Sequence, residues 1–541
     1  RDQFNYMVLG AWYDDAASIL QTIWRTHPVL WYALAIGAIG WLTAYGLRRW
    51  LKNGFVSNER MESFRPHAAL RIILTAMIVV GFGIGIRGSF GRTPARLKGA
   101  AVTQDLFLNK CIMNPAKALV YAMKHHFKAM GGDGLKVFIP DGNLRAAMKR
   151  WDLDSGGNDL DACLQRSAAG PKGVRPRHIF LIVMESCEAW PMYEEYAELK
   201  MADGLKRLAK EGLWVRHFLP GSYGTMTSMA IFMAGLPDAG LVINYQARAR
   251  QTFPTSIAPI FKNMGYLTRV FGGGFLSWQR FGDFAHNQGF DEVWGGGHMG
   301  SWRESNEWGV DDEFLFKFIL GKIDDSKPTF NLILTTSHHP PFDVNVEDHK
   351  ITELPESIRD ACQDDVDLNR MAHYAYTDHE MEKFVRAVIA KEPEALFACT
   401  GDHVRNYYIK RQPSPLEQAS VPLILYGPEV LRGLKLPDNV AGSHLDIIPT
   451  LIELAAPKGF SYRALGNDLL APRPRFAGIA RFKVITADAM YFLGPPKARI
   501  LPLSSGADQM NLAWREEEVR SLHDTIHGIG WWRIKNGPLL K

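Results

Sequence analysis

Cysteine is scarce in this sequence: five residues in 541 (Cys111, Cys163, Cys187, Cys362 and Cys399), with no CxxC pair among them. So few thiols in so long a chain make no disulfide framework, zinc knuckle or redox pair. They read as small buried side chains, and the odd count leaves at least one free thiol. Charge of one sign is also in short supply. The net charge is only +5, too small an excess for a protein that wraps a polyanion, so nucleic acid is not expected as a partner. Internal repeats and low-complexity tracts are absent, and the composition excludes collagen and coiled-coil architectures. What is present is apolar: 47% hydrophobic against 22% charged residues, enough to bury a large core and inconsistent with disorder.

The apolar residues are unevenly spread. Pro28 to Leu47 carries no charge over the roughly 20 residues a helix needs to cross a bilayer, and it is predicted to span one. A second span is expected over Ala68 to Ile86, where Arg71 can reach back to the headgroups. Residues 1–86 thus read as a membrane region. Basic residues between the spans (Arg48, Arg49, Lys52, Arg60, Arg65) slightly outnumber those after the second (Arg87, Arg92, Arg96, Lys98). So small a difference barely decides orientation; the loop is expected inside and the large carboxy-terminal part outside, as the family resemblance given below also implies. The chain starts at Arg1 rather than Met, so a preceding stretch with further spans or a signal segment is expected. A polar, glycine-dotted helical connector follows over residues 87–177.

From His178 onward short apolar runs alternate with helical patterns, as in an α/β domain with a mostly parallel central sheet. Strands are predicted at His178 to Glu185 (HIFLIVME), Leu267 to Phe271, Phe330 to Thr335, Ala395 to Thr400 and Leu423 to Tyr426. Helices are predicted at Leu205 to Glu211, Thr227 to Ala234, Asp311 to Leu320, Met371 to Ala390 and Ile447 to Leu454. Beyond about residue 471 a small antiparallel extension and a last helix close the domain, which runs over 178–541.

Ligands of such sheets bind at the carboxyl ends of the strands. There the sequence puts Glu185, straight after five apolar residues, and the pair Asp402 and His403 in TGDH. Two carboxylates and an imidazole suit one divalent ion: Mn²⁺, Zn²⁺ or Mg²⁺. Between them Gly221-Ser222-Tyr223-Gly224-Thr225-Met226-Thr227-Ser228 leads into an apolar helix. A hydroxyl at that helix start sees exposed N–H groups and the positive end of the dipole. Thr227 there reads either as a simple helix cap or, beside a metal, as a nucleophile.

The motifs resemble, in order, those of the lipoteichoic acid synthase and phosphoglycerol transferase branch of the sulfatase and alkaline phosphatase superfamily. They are IVMES, GTMTS, FLSWQR, TTSHHPPF, HYAYTDHEMEKFV, TGDH, VPLILYGP, SHLDIIPTLIEL and ALGNDLL. The resemblance implies a sulfatase-like extracytoplasmic domain behind transmembrane helices, on a multi-pass protein of the bacterial inner membrane. It implies metal ligation by Glu185, Asp402, His403 and a threonine, Thr227 first and Thr225 second, with Mn²⁺ the first choice of ion. It gives Arg280 to the phosphate, Trp278 to the head group, and His338 to a phosphate oxygen or the departing alkoxide. The implied reaction moves phosphoglycerol from phosphatidylglycerol through a phospho-threonine to a glycan, glycolipid or polyglycerol phosphate. Where the family carries an HGN-type histidine, this chain reads VFGGG, which leaves a donor to the head group missing or supplied elsewhere. The alternatives are phosphoethanolamine transfer to lipid A or another glycolipid, and a non-catalytic lipid-sensing scaffold. His339 and His444 lie near these motifs; His444 reads as structural.

Overall fold

The computed structural model describes residues 28–54 and 134–540 except 300–307, 324–325, 406, 473–476, 495–497 and 504–508, together with residues 24, 76–77, 80–81, 83, 119–120 and 123. The chain falls into two compact units, Arg1–His125 and His126–Lys541. In the first, the apolar run forms a helix, α1 (Val29–Gly54), whose side chains Leu30, Trp31, Leu34, Ile39, Trp41 and Leu42 are exposed. Among the described residues no helix is long and apolar enough to cross a membrane. The second expected span, Ala68 to Ile86, and residues 87–118 of the expected connector lie almost wholly outside the described residues.

The second unit is built on a seven-stranded sheet. Its strands are β1 (His178–Met184), β2 (Leu213–Trp214), β3 (Leu267–Gly272), β4 (Glu292–Trp294), β5 (Thr329–Leu334), β6 (Leu396–Gly401) and β7 (Leu423–Tyr426), in the order β2-β7-β6-β1-β5-β3-β4. β4, β3, β5, β1 and β6 run parallel, and β7 is antiparallel to both neighbours. Every residue of β1, β5, β6 and β7 is buried, as strands covered by helices on both faces must be. The two aromatic-rich layers against the sheet include Phe180, Phe384 and Phe397 on one side and Phe261 and Phe330 on the other.

Around the sheet lie α2 (Asp203–Glu211), α3 (Thr225–Ala234), α4 (Asp312–Leu320), α5 (Leu368–Lys391) and α6 (His444–Ala455). α5 carries the HYAYTDHEMEKFV motif, and its residues at helical spacing tie down the chain after β1, the start of α4 and, twice over, α2. The Tyr374 hydroxyl donates to the Glu188 carbonyl at 2.9 Å, and Thr377 donates to Asp312 Oδ2 at 2.9 Å. The Asp378 carboxylate accepts from the N–H groups of Gly204 (2.6 Å) and Leu205 (2.9 Å) at the start of α2, and Glu382 takes Arg207 Nε at 2.9 Å. That motif is therefore an internal brace.

The carboxy-terminal extension is a four-stranded antiparallel sheet, β8 (Gly478–Ala480), β9 (Lys483–Ile485), β10 (Ala489–Phe492) and β11 (Arg499–Pro502), followed by α7 (Gln509–Lys535). One expected boundary moves. Residues 134–177 belong to the second unit: Gln165–Ser167 pairs with Ser461–Arg463, and Leu144 and Met148 are buried in the same core as Ile529 and Trp531. Apolar side chains within the stretch, masked in sequence by its polar and glycine residues, hold it there.

Candidate active site

The parallel register brings four strand ends to one edge. Met184 pairs with Gly401, Val183 with Leu334, and Leu334 with Gly272, so Glu185, Asp402, His338 and the FLSWQR loop all leave the sheet at the same side. Gly401 must be glycine, because a Cβ there would lie 2.0 Å from the Cys187 carbonyl oxygen. The chain after β1 crosses that close over the end of β6. Ser186 makes the crossing with φ 51°, a left-handed conformation costly for a serine. Its N–H donates to Asp402 Oδ1 at 2.7 Å and its hydroxyl to Glu185 Oε1 at 2.7 Å.

Glu185, Asp402 and His403 are buried, and one ligand atom from each lies within 4.8 Å of the others. Burial opposes the Glu185 charge, yet His339, His403, Arg405 and the Ser186 hydroxyl together hold its carboxyl below the ordinary value. Asp402 goes the other way: burial, then the charge of Glu185, pushes it well up. Its Oδ1 accepts two N–H groups, from Ser186 and His403, whereas Oδ2 is buried with no hydrogen-bond donor. A buried carboxylate oxygen facing a second carboxylate and a neutral imidazole lacks a positive partner. One divalent cation fits that need, and Glu185, Asp402 and His403 would hold it.

The hydroxyl that meets this group is that of Thr225. Its Oγ1 donates to Glu185 Oε2 at 3.0 Å and lies 3.3 Å from His403 Nε2. Thr227, the first expected choice, faces away: its Oγ1 is 2.6 Å from Ser222 Oγ and donates to the Gly224 carbonyl at 2.8 Å. The reason is the helix start. α3 begins at Thr225, with Gly224 as its extended cap, two residues earlier than the sequence pattern puts it. At about 100° per residue, residues two apart point to nearly opposite sides. Ser228, three positions on, returns to the Thr225 side, and its hydroxyl donates to the Asp402 carbonyl at 2.7 Å.

His338 also needs correction. It is buried behind the site, with Nδ1 3.2 Å from the Glu185 carbonyl and its ring against Tyr374 and Phe342. Burial drives its pKa far down, so it supports the backbone of Glu185 and is closed to a substrate. His339, half-buried, takes the place beside the Glu185 carboxylate. Its Nδ1–H is given to the Pro340 carbonyl at 2.7 Å, and its ring rests on Trp308 at 4.4 Å between centres. Burial lowers its pKa to about 4, leaving a neutral ring with Nε2 as a free acceptor.

Trp278 and Arg280 stand in the loop after β3, with Gln279 and Arg280 at φ 42° and 58°. Trp278 packs on the main core, and Arg280 Nε bonds Asp283 Oδ2 at 3.2 Å. Among the described residues no hydrogen bond or ion pair joins either to the Glu185 group. The VFGGG stretch is closed by packing: a Cβ on Gly309 would lie 2.2 Å from the Gly273 carbonyl oxygen. A second cation that the motifs did not single out faces the site. Arg405 is exposed, its charge is felt by Glu185, His339 and His403, and its backbone N–H is fixed by Glu188 Oε1 at 2.8 Å. Its place two residues after His403 was the available signal. His444, as expected, is structural: Nε2 donates to the Gly401 carbonyl at 2.9 Å, and burial drives its pKa to about 3.

Comparison with known proteins agrees with this geometry. The fold is shared with a protein of the alkaline phosphatase superfamily from Vibrio parahaemolyticus, at TM-score 0.53 and 20% identity over 74% of this chain and 96% of that one. It is shared also with the lipoteichoic acid synthase LtaP from Listeria monocytogenes, at TM-score 0.56 and 15% identity over 74% of this chain and 100% of that one. The sulfatase family model matches residues 177–457, the span that carries every strand of the large sheet and every side chain of the site. The chain belongs to the sulfatase family.

Proposed function

We propose that this protein is a membrane-attached transferase that takes the phosphoglycerol head group of phosphatidylglycerol onto Thr225 and passes it to a hydroxyl of a glycan, glycolipid or polyglycerol phosphate. The observation that carries the reading is the Thr225 hydroxyl, set between Glu185 and His403 beside the donorless oxygen of Asp402. A divalent ion held there, Mn²⁺ by preference, would lower the hydroxyl pKa and neutralise phosphate charge.

In the first half-reaction Thr225 Oγ1 attacks phosphorus, its P–O bond forms, and the bond to diacylglycerol breaks. The proton leaving Thr225 ends on the diacylglycerol oxygen. His339 Nε2, a neutral acceptor beside Glu185, is the group we assign to carry it. In the second half-reaction the acceptor hydroxyl gives its proton to the same nitrogen, and Thr225 regains a proton as the ester is cleaved. Arg405 balances charge on the non-bridging oxygens. The exposed apolar face of α1 supports attachment to a membrane beside the lipid donor, with the second unit on the extracytoplasmic side.

Incubation with fluorescent phosphatidylglycerol or phosphatidylethanolamine, followed by mass spectrometry of the peptide containing Thr225, tests this directly. A phosphoglycerol adduct on Thr225 is the expected result. A phosphoethanolamine adduct would reassign the donor. Absence of any adduct, with no diacylglycerol released by metal-loaded protein, would reduce the molecule to a lipid-binding scaffold.

A further inference from the structure

The carboxy-terminal sheet, to which the motifs give no chemistry, grips the loop that presents Thr225. Arg481 in the turn between β8 and β9 is buried and reaches that loop twice directly and once through Asp238. Its N–H donates to the Gly221 carbonyl at 3.2 Å, and its carbonyl accepts the Tyr223 hydroxyl at 2.8 Å. Its Nη1 donates to Asp238 Oδ1 at 2.9 Å and to the Asp238 carbonyl at 3.0 Å. The other carboxylate oxygen of Asp238 accepts the Ser222 hydroxyl at 2.7 Å, and Ser222 Oγ lies 2.6 Å from Thr227 Oγ1. Ser222 has one proton and spends it on the carboxylate, so Thr227 supplies the proton between the two hydroxyls, shared with the Gly224 carbonyl.

The result is a line from Arg481 through Asp238 and Ser222 to the half-buried Thr227, with Ser222, Asp238 and Arg481 exposed by only 2, 6 and 7%. An ion pair this deep adds little net stability over apolar residues of equal volume, but it admits one arrangement of its neighbours. We infer that Arg481 is a positioning residue for Thr225, acting through Asp238, Ser222 and Thr227 to hold the first turn of α3 so that the Thr225 hydroxyl faces Glu185 and His403. The inference rests on Thr225 being the nucleophile. Thr227 thereby has a use in the reaction: it locks the helix face opposite the one that reacts.

The test compares Arg481→Met, Asp238→Asn and Thr227→Val in the full chain, with fluorescent phosphatidylglycerol in mixed micelles and Mn²⁺ as the metal. A nucleophile displaced by about 1 Å costs about 100-fold, so each variant is expected to lose about 10- to 100-fold in kcat and in the single-turnover rate of adduct formation on Thr225. KM and bound Mn²⁺ should stay within about twofold, because the substrate-facing and metal-holding side chains are untouched. Arg481→Met combined with Thr227→Val should lose no more than the worse single variant, as members of one unit do. Unchanged kcat per folded molecule, with only a lower melting temperature, would overturn the inference, and so would losses that simply multiply. Thr227→Val alters a single hydroxyl at constant shape and keeps the test decisive should Arg481→Met fail to fold. A fully active Thr225→Ala would defeat the transferase reading itself. An inactive Thr225→Ala beside fully active Arg481 and Thr227 variants would defeat only the positioning role.

Discussion

Thr225 and Thr227 are chemically identical and two positions apart, and the helix separates their surroundings completely. One meets Glu185 and His403; the other meets Ser222 and a backbone carbonyl. Thr225→Ala should therefore lower diacylglycerol release at least about a thousandfold, while Thr225→Ser, which keeps the oxygen, retains measurable turnover; a fluorescent-lipid assay reads both. Asp402→Asn should hold less than a tenth of the wild-type metal after dialysis, read by elemental analysis, because it removes one of two carboxylate ligands and leaves an amide where Oδ2 had lacked a donor. His339→Gln should depress kcat about 10²- to 10⁴-fold with little change in bound metal, whereas His338 variants should act through stability, since that ring only braces the Glu185 carbonyl.

At the scale of elements, α5 makes a prediction of its own. Asp378 caps α2 from a fully buried position, and burial pushes its pKa up to about 7 from 3.8. The folded chain then keeps a proton that the unfolded chain has shed, so this residue makes stability fall as pH rises from about 4 to about 7. Asp378→Asn leaves one of the two capped N–H groups without its acceptor. It should cost about 1 to 3 kcal/mol at pH 5 and noticeably less at pH 8, with that part of the slope abolished; urea melts across this range check it.

Elements were legible in the sequence to different degrees, for physical reasons. β1, β5 and β6 announced themselves because strands buried on both faces are continuous apolar runs, and their ends therefore delivered Glu185, Asp402 and His403. The start of α3 did not, because its cap is Gly224, a residue with no side chain to mark the boundary, and the two-residue shift put Thr227 where the structure puts Thr225, beside Glu185 and His403. His338 and His339 are adjacent and equally polar in sequence. Only the turn after β5 decides which of them is buried. Arg405 carried no motif, and Arg481 lies far along the chain from the loop it grips.

For the whole molecule, α1 and the site set two further expectations. The apolar side chains of α1 stand open on a helix, so the full chain should float with lipid vesicles, and a chain with Leu34→Glu, Ile39→Glu and Leu42→Glu should remain in the dense fraction. Chelation should abolish turnover and lower the melting temperature, because the ion would offset the two carboxylates that Arg405 alone, exposed at the rim, offsets only in part. Adding back Mn²⁺, Zn²⁺ or Mg²⁺ singly would then rank the native ion by recovered rate.

The crossing at Gly401, where the chain leaving β1 passes over the end of β6, has a consequence for how the protein matures. Glu185 is synthesised long before Asp402 and His403, and the three meet only once β6 has docked beside β1. A nascent chain owns a single acid at this spot and has no grip on an ion, so any metal would be taken up only where folding finishes.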